Sequence, residues 1–219
     1  MPDTFFTPHQ RATVEAAMAR IIPTDHTPGA REAGCIDFVE RYLSGIDYIF
    51  AKPDGSGFEV LEGRAANAWR QRIEIMRGRY VDGLRDLDAR AREKFSADFV
   101  DLTPEHQDQI LHAVEKAGAG EPTTLPVTDA LAGPVSPQPA LQQTSTEVDL
   151  DFLPLLVTHT RQGFYADPIY GGNKNQIGWK VIGFPGPASL KDVHTGRYTT
   201  LQYFAEGEAE KVREFHDGL

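Results

Sequence analysis

RAANAWRQRIEIMRGRYVDGLRDLDARAREKF, residues 64–95, decides the fold class. Trp69, Ile73, Met76, Tyr80, Leu84, Leu87 and Ala91 recur at spacings of three and four, which aligns them on one face of a helix. Asp88 stands four residues before Arg92, the favourable order for an exposed helical pair. Gly78 and Gly83 each weaken a helix by about 1 kcal/mol relative to Ala. The spacing therefore predicts a long helix, with a kink or a division near those glycines.

Working outward, the same period appears on both sides. Upstream, Thr7 and Gln10 form a capping box around Pro8, and Val14, Ala17, Met18 and Ile21 give the first helix its apolar face. Pro23 ends it. A second helix is predicted over about Arg31–Leu43, with Ile36, Val39, Tyr42 and Leu43 on one side, followed by the turn-rich AKPDGSG. Downstream, Thr103 and Pro104 start a fourth helix that buries Ile110, Leu111 and Val114 and stops at Gly118. From Gly118 to Glu147 the chain turns rich in Pro, Gly, Ser, Thr and Gln, a long surface excursion of the kind that is commonly functional or partner-bound. A fifth helix covers about Leu150–Phe164 with Phe152, Leu155, Leu156 and His159 on one side, and the tail adds a short helix near Glu206–Phe215. No segment has the period of strands. The expectation is a mainly α, irregular helical domain of five or six helices with long loops, spanning residues 1–219 as a single unit.

Composition narrows the function. The 219 residues carry a formal charge of −10, which argues against nucleic-acid binding and against docking on anionic lipid. No apolar run reaches the length of a membrane span. The lone Cys35 excludes an intrachain disulfide and a cysteine-based zinc cluster, and its apolar helical setting predicts a buried, inert thiol. MPDTFFTPHQ shows no charged n-region, apolar h-region or twin-arginine pair. A cytoplasmic location is therefore expected; a periplasmic one would follow if a signal had been removed or a partner exported the chain.

The usual signatures of catalysis are missing from the sequence: there is no dinucleotide fingerprint, P-loop, HExxH or GxSxG. His106 and His112, six apart, point to different helical faces and read as solvated side chains rather than metal ligands. Asp149 and Asp151 flank a helix start, where the dipole accounts for them. His159 reads as a core histidine that hydrogen-bonds the backbone of the loop after it and so anchors that loop. An enzyme built on His159 and Asp167 would lack an accompanying nucleophile or metal set. No catalytic, cofactor-binding or metal-binding residues are assigned.

Within HTRQGFYADPIYGGNKNQIGWKVIGFPGP, residues 159–187, the part after the fifth helix, DPIYGGNKNQIGWKVIGFPGP over residues 167–187, has hardly any helical or strand periodicity. Gly171 and Gly172 permit positive φ and close backbone approach, and Asn173 tolerates the left-handed region. Two uses stand open. The aromatic residues plug the chain's own core, or they face another protein, since interface centres favour Tyr, Trp and Phe. Under the second use the interface is carried by Phe164, Tyr165, Asp167, Tyr170, Gly171, Gly172, Asn173, Trp179, Phe184 and Pro185, with His159 as anchor.

The HT-x-x-GF-x-x-DP-x-YGGN run, the following GW and the GFPGP end resemble the signature of the gluconate 2-dehydrogenase subunit 3 family, the gamma or small subunit. FTPHQRATVEAAMARIIPTDHTPGAREAG is similar to the family's N-terminal pattern. The resemblance implies a non-catalytic subunit wrapped on a large FAD-binding oxidoreductase of the glucose–methanol–choline type, which oxidises a sugar, sugar acid or glycoside. FAD then belongs to that partner. A cytochrome c subunit accompanies some such complexes; this chain has no CxxCH to hold a covalent haem. The small subunit supports folding, stability or export of the large one; alternatively, it also shapes the substrate entrance or the electron-transfer route. Many members of the family carry a twin-arginine signal, and the sequence departs from them there.

Overall fold

The computed structural model describes residues 4–118, 146–184, 186 and 191. The excursion expected from Gly118 to Glu147 lies outside them apart from its two ends, as do Pro185 and the helix expected near Glu206–Phe215. Six α-helices follow in order among the described residues: α1 (Pro8–Ile21), α2 (Cys35–Ser44), α3 (Gly63–Phe95), α4 (Pro104–Gly118), α5 (Phe152–Tyr165) and α6 (Ile177–Val181). Extended pairing among the described residues is confined to a single bridge between Ala51 and Phe58. The mainly helical class read from the sequence is the one observed.

The capping box opens α1 as its residues dictate. The Gln10 N–H donates to the Thr7 hydroxyl at 3.2 Å, and the Thr7 N–H donates to the Gln10 side chain at 3.0 Å. α2 starts later than predicted, at Cys35 rather than Arg31, because Gly34 is left-handed (φ 66°) and interrupts the helical path.

α3 runs unbroken over 33 residues, about 50 Å, so the division expected at the glycines is absent. Gly83 is required for packing instead. A Cβ there would lie 2.0 Å from a ring carbon of Phe152, so only glycine lets α5 start against α3. The apolar stripe read from the sequence is the buried one: Ile73, Met76, Tyr80, Leu84, Leu87 and Ala91 all face the core. Each large side chain so enclosed contributes about 1.5–3 kcal/mol.

α5 occupies the centre, packing most extensively on α2 and also touching α1, α3 and α4. Phe152, Leu155, Leu156 and Phe164 of α5 join one continuous core with residues of α1 to α4. Polar ties lock the periphery. Asp88 of α3 accepts the Phe99 N–H at 3.0 Å and meets His9 Nε2 of α1 at 2.6 Å. Cys35 is fully buried, and burial pushes its thiol pKa up to about 12, which makes it the inert group expected.

Candidate functional site

The segment after α5 turns back onto the body of the protein. Asp167 accepts the Ile169 N–H at 2.9 Å and opens a short 3-10 turn over Pro168–Tyr170. Gly171 follows at φ 108°. Asn173 is then left-handed (φ 48°), fully buried, and bonded through three groups. Its N–H donates to Gly163 O at 2.8 Å, its Nδ2 to Ala166 O at 2.9 Å, and its Oδ1 accepts the Gly178 N–H at 2.8 Å. One side chain thus ties the end of α5 to the start of α6.

Backbone meets backbone at two further glycines. A Cβ on Gly172 would lie 2.1 Å from Gly163 O, and one on Gly178 would lie 1.8 Å from Phe164 O. Trp179 then drops onto the end of α5, its Nε1 donating to Tyr165 O at 2.7 Å, with Phe184 edge-on to its ring at 5.4 Å. Lys174 crosses to α2: its N–H donates to Ala33 O at 2.9 Å, its stem covers Gly34, and its ammonium meets Asp37 at 2.5 Å. Asp37 is also bonded by Arg11 of α1. Burial alone would raise the Asp37 pKa; the bonds from Lys174 and Arg11 outweigh it and hold the carboxyl below its ordinary value.

The ten residues expected at an interface therefore separate. Phe164, Gly172, Asn173 and Trp179 are enclosed by the chain itself, because the loop hangs from the last turn of α5 through backbone carbonyls that only close approach can reach. Phe164 belongs to the protein's own core, and the other three are packed against the end of α5. Tyr165 is 41% exposed, and Asp167, Tyr170, Gly171 and Phe184 are half-buried. Pro185 lies outside the described residues.

His159 is corrected too. It is wholly buried, but its hydrogen bond runs to Tyr80 (Nδ1 to hydroxyl, 2.9 Å) rather than to the loop backbone. The Tyr80 ring stacks on it at 5.7 Å, the Tyr42 ring meets it edge-on at 5.3 Å, and its Nε2 has no hydrogen-bond partner. Desolvation lowers its pKa to about 4, against the opposing pull of Glu147. The loop is anchored by Asn173. His159 and Asp167 are not paired: Asp167 caps its own turn. His106 is not simply solvated, since its ring stacks on Phe95 at 4.0 Å; His112 is exposed, 3.3 Å from Glu115.

A second surface escaped the sequence reading. The connection between α2 and α3 carries Tyr48, Phe50 and Phe58, and Phe50 is 42% exposed. Phe50 meets Trp69 of α3 edge-on at 5.7 Å, while Phe58 meets Tyr48 at 5.3 Å and Tyr170 of the loop at 5.7 Å. The Ala51 N–H donates to the Tyr170 hydroxyl at 3.2 Å. Aromatic residues flanking a Lys-Pro-Asp-Gly turn were the available signal. Elsewhere, a cleft of about 950 Å³ opens between α1, α4 and the start of α5, floored by Ile21, Leu111, Val114, Phe152 and Val157. Its rim ions pair with one another, Arg20 with Asp108 and Arg90 with Asp86. No group of three metal-ligating side chains occurs among the described residues. No helix among them is long and apolar enough to cross a membrane.

Compared with known proteins, the chain matches the family model described as gluconate 2-dehydrogenase subunit 3 over residues 8–186. No curated protein and no solved structure matches it.

Proposed function

The chain belongs to the gluconate 2-dehydrogenase subunit 3 family, an accessory subunit of a dehydrogenase complex, and from that premise we propose that it binds and stabilises a large FAD-containing catalytic subunit. The partner is an oxidoreductase of the glucose–methanol–choline type that acts on a sugar or glycoside, with or without a cytochrome c subunit to take the electrons. Flavin and catalytic base reside on the partner, and this chain supports its folding.

The observation that carries the reading is the family match, which runs from the first helix to the end of the loop. The architecture fits that role. The left-handed Asn173, Asn175 and Gln176 and the close glycine contacts lie in the segment that fixes the loop after α5 against the body of the protein. Such backbone costs about 1–2 kcal/mol per non-glycine residue and persists where surrounding structure enforces it.

The test is production of the flavoprotein with and without this chain. Co-production raises its soluble yield and its bound flavin. A flavoprotein that is equally soluble, flavinated and active alone would remove the basis for the proposal.

A further inference from the structure

We propose that Trp69, Tyr42 and Tyr80 form a one-electron relay: an oxidising equivalent that arrives at Trp69 is carried inward and held on Tyr80 as a phenoxyl radical, with the phenolic proton passed to His159. The relay belongs to this chain's own side chains and does not depend on the accessory-subunit reading.

Four rings make the path. The Trp69 ring, half-buried on α3, meets the Tyr42 ring of α2 edge-on at 6.4 Å. Tyr42 meets the His159 ring of α5 edge-on at 5.3 Å, and Tyr80 of α3 stacks on that same ring at 5.7 Å. Electronic coupling falls steeply with distance, so rings in near contact exchange electrons readily. Ring contacts of this kind occur in many cores. What sets this group apart is that both phenols have somewhere to send a proton.

A phenol that loses an electron must also lose its proton, because a buried unpaired cation is strongly disfavoured. Each tyrosine has a base in place. The Tyr42 hydroxyl donates to the Glu147 carboxylate at 3.1 Å, and the Tyr80 hydroxyl lies 2.9 Å from His159 Nδ1. With Nδ1 as acceptor, the Tyr80 O–H is satisfied and the Nε2–H alone is left over. With Nδ1 as donor, the Tyr80 O–H and Nε2 would both be left over, so the first arrangement is favoured. Burial raises the pKa of both phenols, so each keeps its proton until it is oxidised. Desolvation holds His159 neutral and its Nδ1 open, and the Glu147 carboxylate favours the imidazolium once it forms.

The direction follows from the charges. Arg72 lies over the Trp69 ring at 4.5 Å, and its cation disfavours a positive hole there. An indole radical is also a stronger oxidant than a phenol whose proton has a base to receive it. A one-electron oxidant such as the carbonate or azide radical takes one electron from Trp69 and is reduced. Tyr42 returns an electron to Trp69, and Tyr80 returns one to Tyr42. The Tyr80 O–H bond breaks and an N–H bond forms at His159 Nδ1. The net change is one electron lost and one proton moved inside the protein. Trp179 is the contrast, because its ring meets Phe184, which has no hydroxyl proton to give up.

Pulse radiolysis of the full-length chain in azide solution tests the relay, since azide radicals oxidise indoles in preference to phenols. In the wild type, indolyl absorbance decays as phenoxyl absorbance grows, at a rate independent of protein concentration. Trp69→Phe loses most of this phase, and Trp179→Phe keeps it. The freeze-quenched wild type gives a phenoxyl electron paramagnetic resonance spectrum with an exchangeable hydrogen-bonded proton, and Tyr80→Phe loses that spectrum. Circular dichroism melts report the folding of each variant. An undiminished phase in Trp69→Phe, its loss in Trp179→Phe instead, or a radical spectrum unchanged by Tyr80→Phe would overturn the relay. Should Tyr80→Phe fail to fold, the wild-type spectrum decides: a phenoxyl with no coupling to an exchangeable proton overturns the assignment to Tyr80 and His159.

Discussion

Two irregular segments of this protein hold similar residues and use them in opposite ways. The loop after α5 and the connection between α2 and α3 are both short of regular structure and rich in Gly and aromatic rings. In the loop, Trp179 is 6% exposed and sealed by a bond to the end of α5; in the connection, Phe50 stands 42% open. The difference lies in the backbone. Gly172 and Gly178 bring the loop to within van der Waals distance of the α5 carbonyls, whereas Gly55 and Gly57 in the connection face open space. Aromatic content does not tell which segment is closed and which open; the neighbours of the glycines do.

Gly178→Val should break the contrast most severely. Its side chain would overlap Phe164 O, and displacing that backbone costs at least about 3 kcal/mol, with loss of the loop's attachment. Gly55→Val, at φ 73° but in free space, should cost about 1 kcal/mol. Thermal melts of the two variants check this, and equal losses would mean that the loop is not wedged against α5. Gly172→Val should resemble Gly178→Val, through crowding against Gly163 rather than through a positive φ.

Trp179→Ala should cost about 3–5 kcal/mol, as for a buried aromatic side chain, while Phe50→Ala should cost about 1 kcal/mol. Denaturant midpoints measure both. A Phe50→Ala loss as large as that of Trp179→Ala would place Phe50 in the core.

Acid should act on the α5 side first. His159 titrates at about 4 in the folded chain, below its ordinary value near 6.5, so the unfolded chain takes up the proton first. This contribution is complete above about pH 6.5 and is lost as pH falls towards 4, by about 3 kcal/mol in all. His159→Gln should therefore lose less stability than the wild type between pH 7 and 4.5, read as the change in melting temperature. Parallel curves would mean that His159 is protonated at little cost.

Asn173→Ala should have the smallest effect on the loop, about 2–3 kcal/mol. It removes two side-chain bonds and leaves a part-buried carbonyl and a buried N–H without that partner, while keeping the backbone contact of Gly172. Hydrogen exchange at Gly178 should accelerate with it. Unchanged exchange would assign the tie to the backbone alone.

Much of this was legible in the sequence. The stripe from Ile73 to Ala91, the capping box at Thr7 and the apolar face of α5 follow from local periodicity and capping, which need no knowledge of the rest of the chain. Cys35 was readable as inert for the same reason. The family pattern in the loop was legible as a string, and the match over residues 8–186 agrees with it. What the string left open was the direction in which its rings point.

Only tertiary structure decided that. Whether His159 bonds the loop or Tyr80 depends on where α3 passes α5, a contact between residues 79 positions apart. Whether Trp179 is a plug or a lure depends on two glycines meeting carbonyls of another element. Local sequence sets which faces of a helix are apolar, because side chains repeat with the helical period. It cannot set the destination of an aperiodic segment, whose geometry is fixed by the surface it lands on.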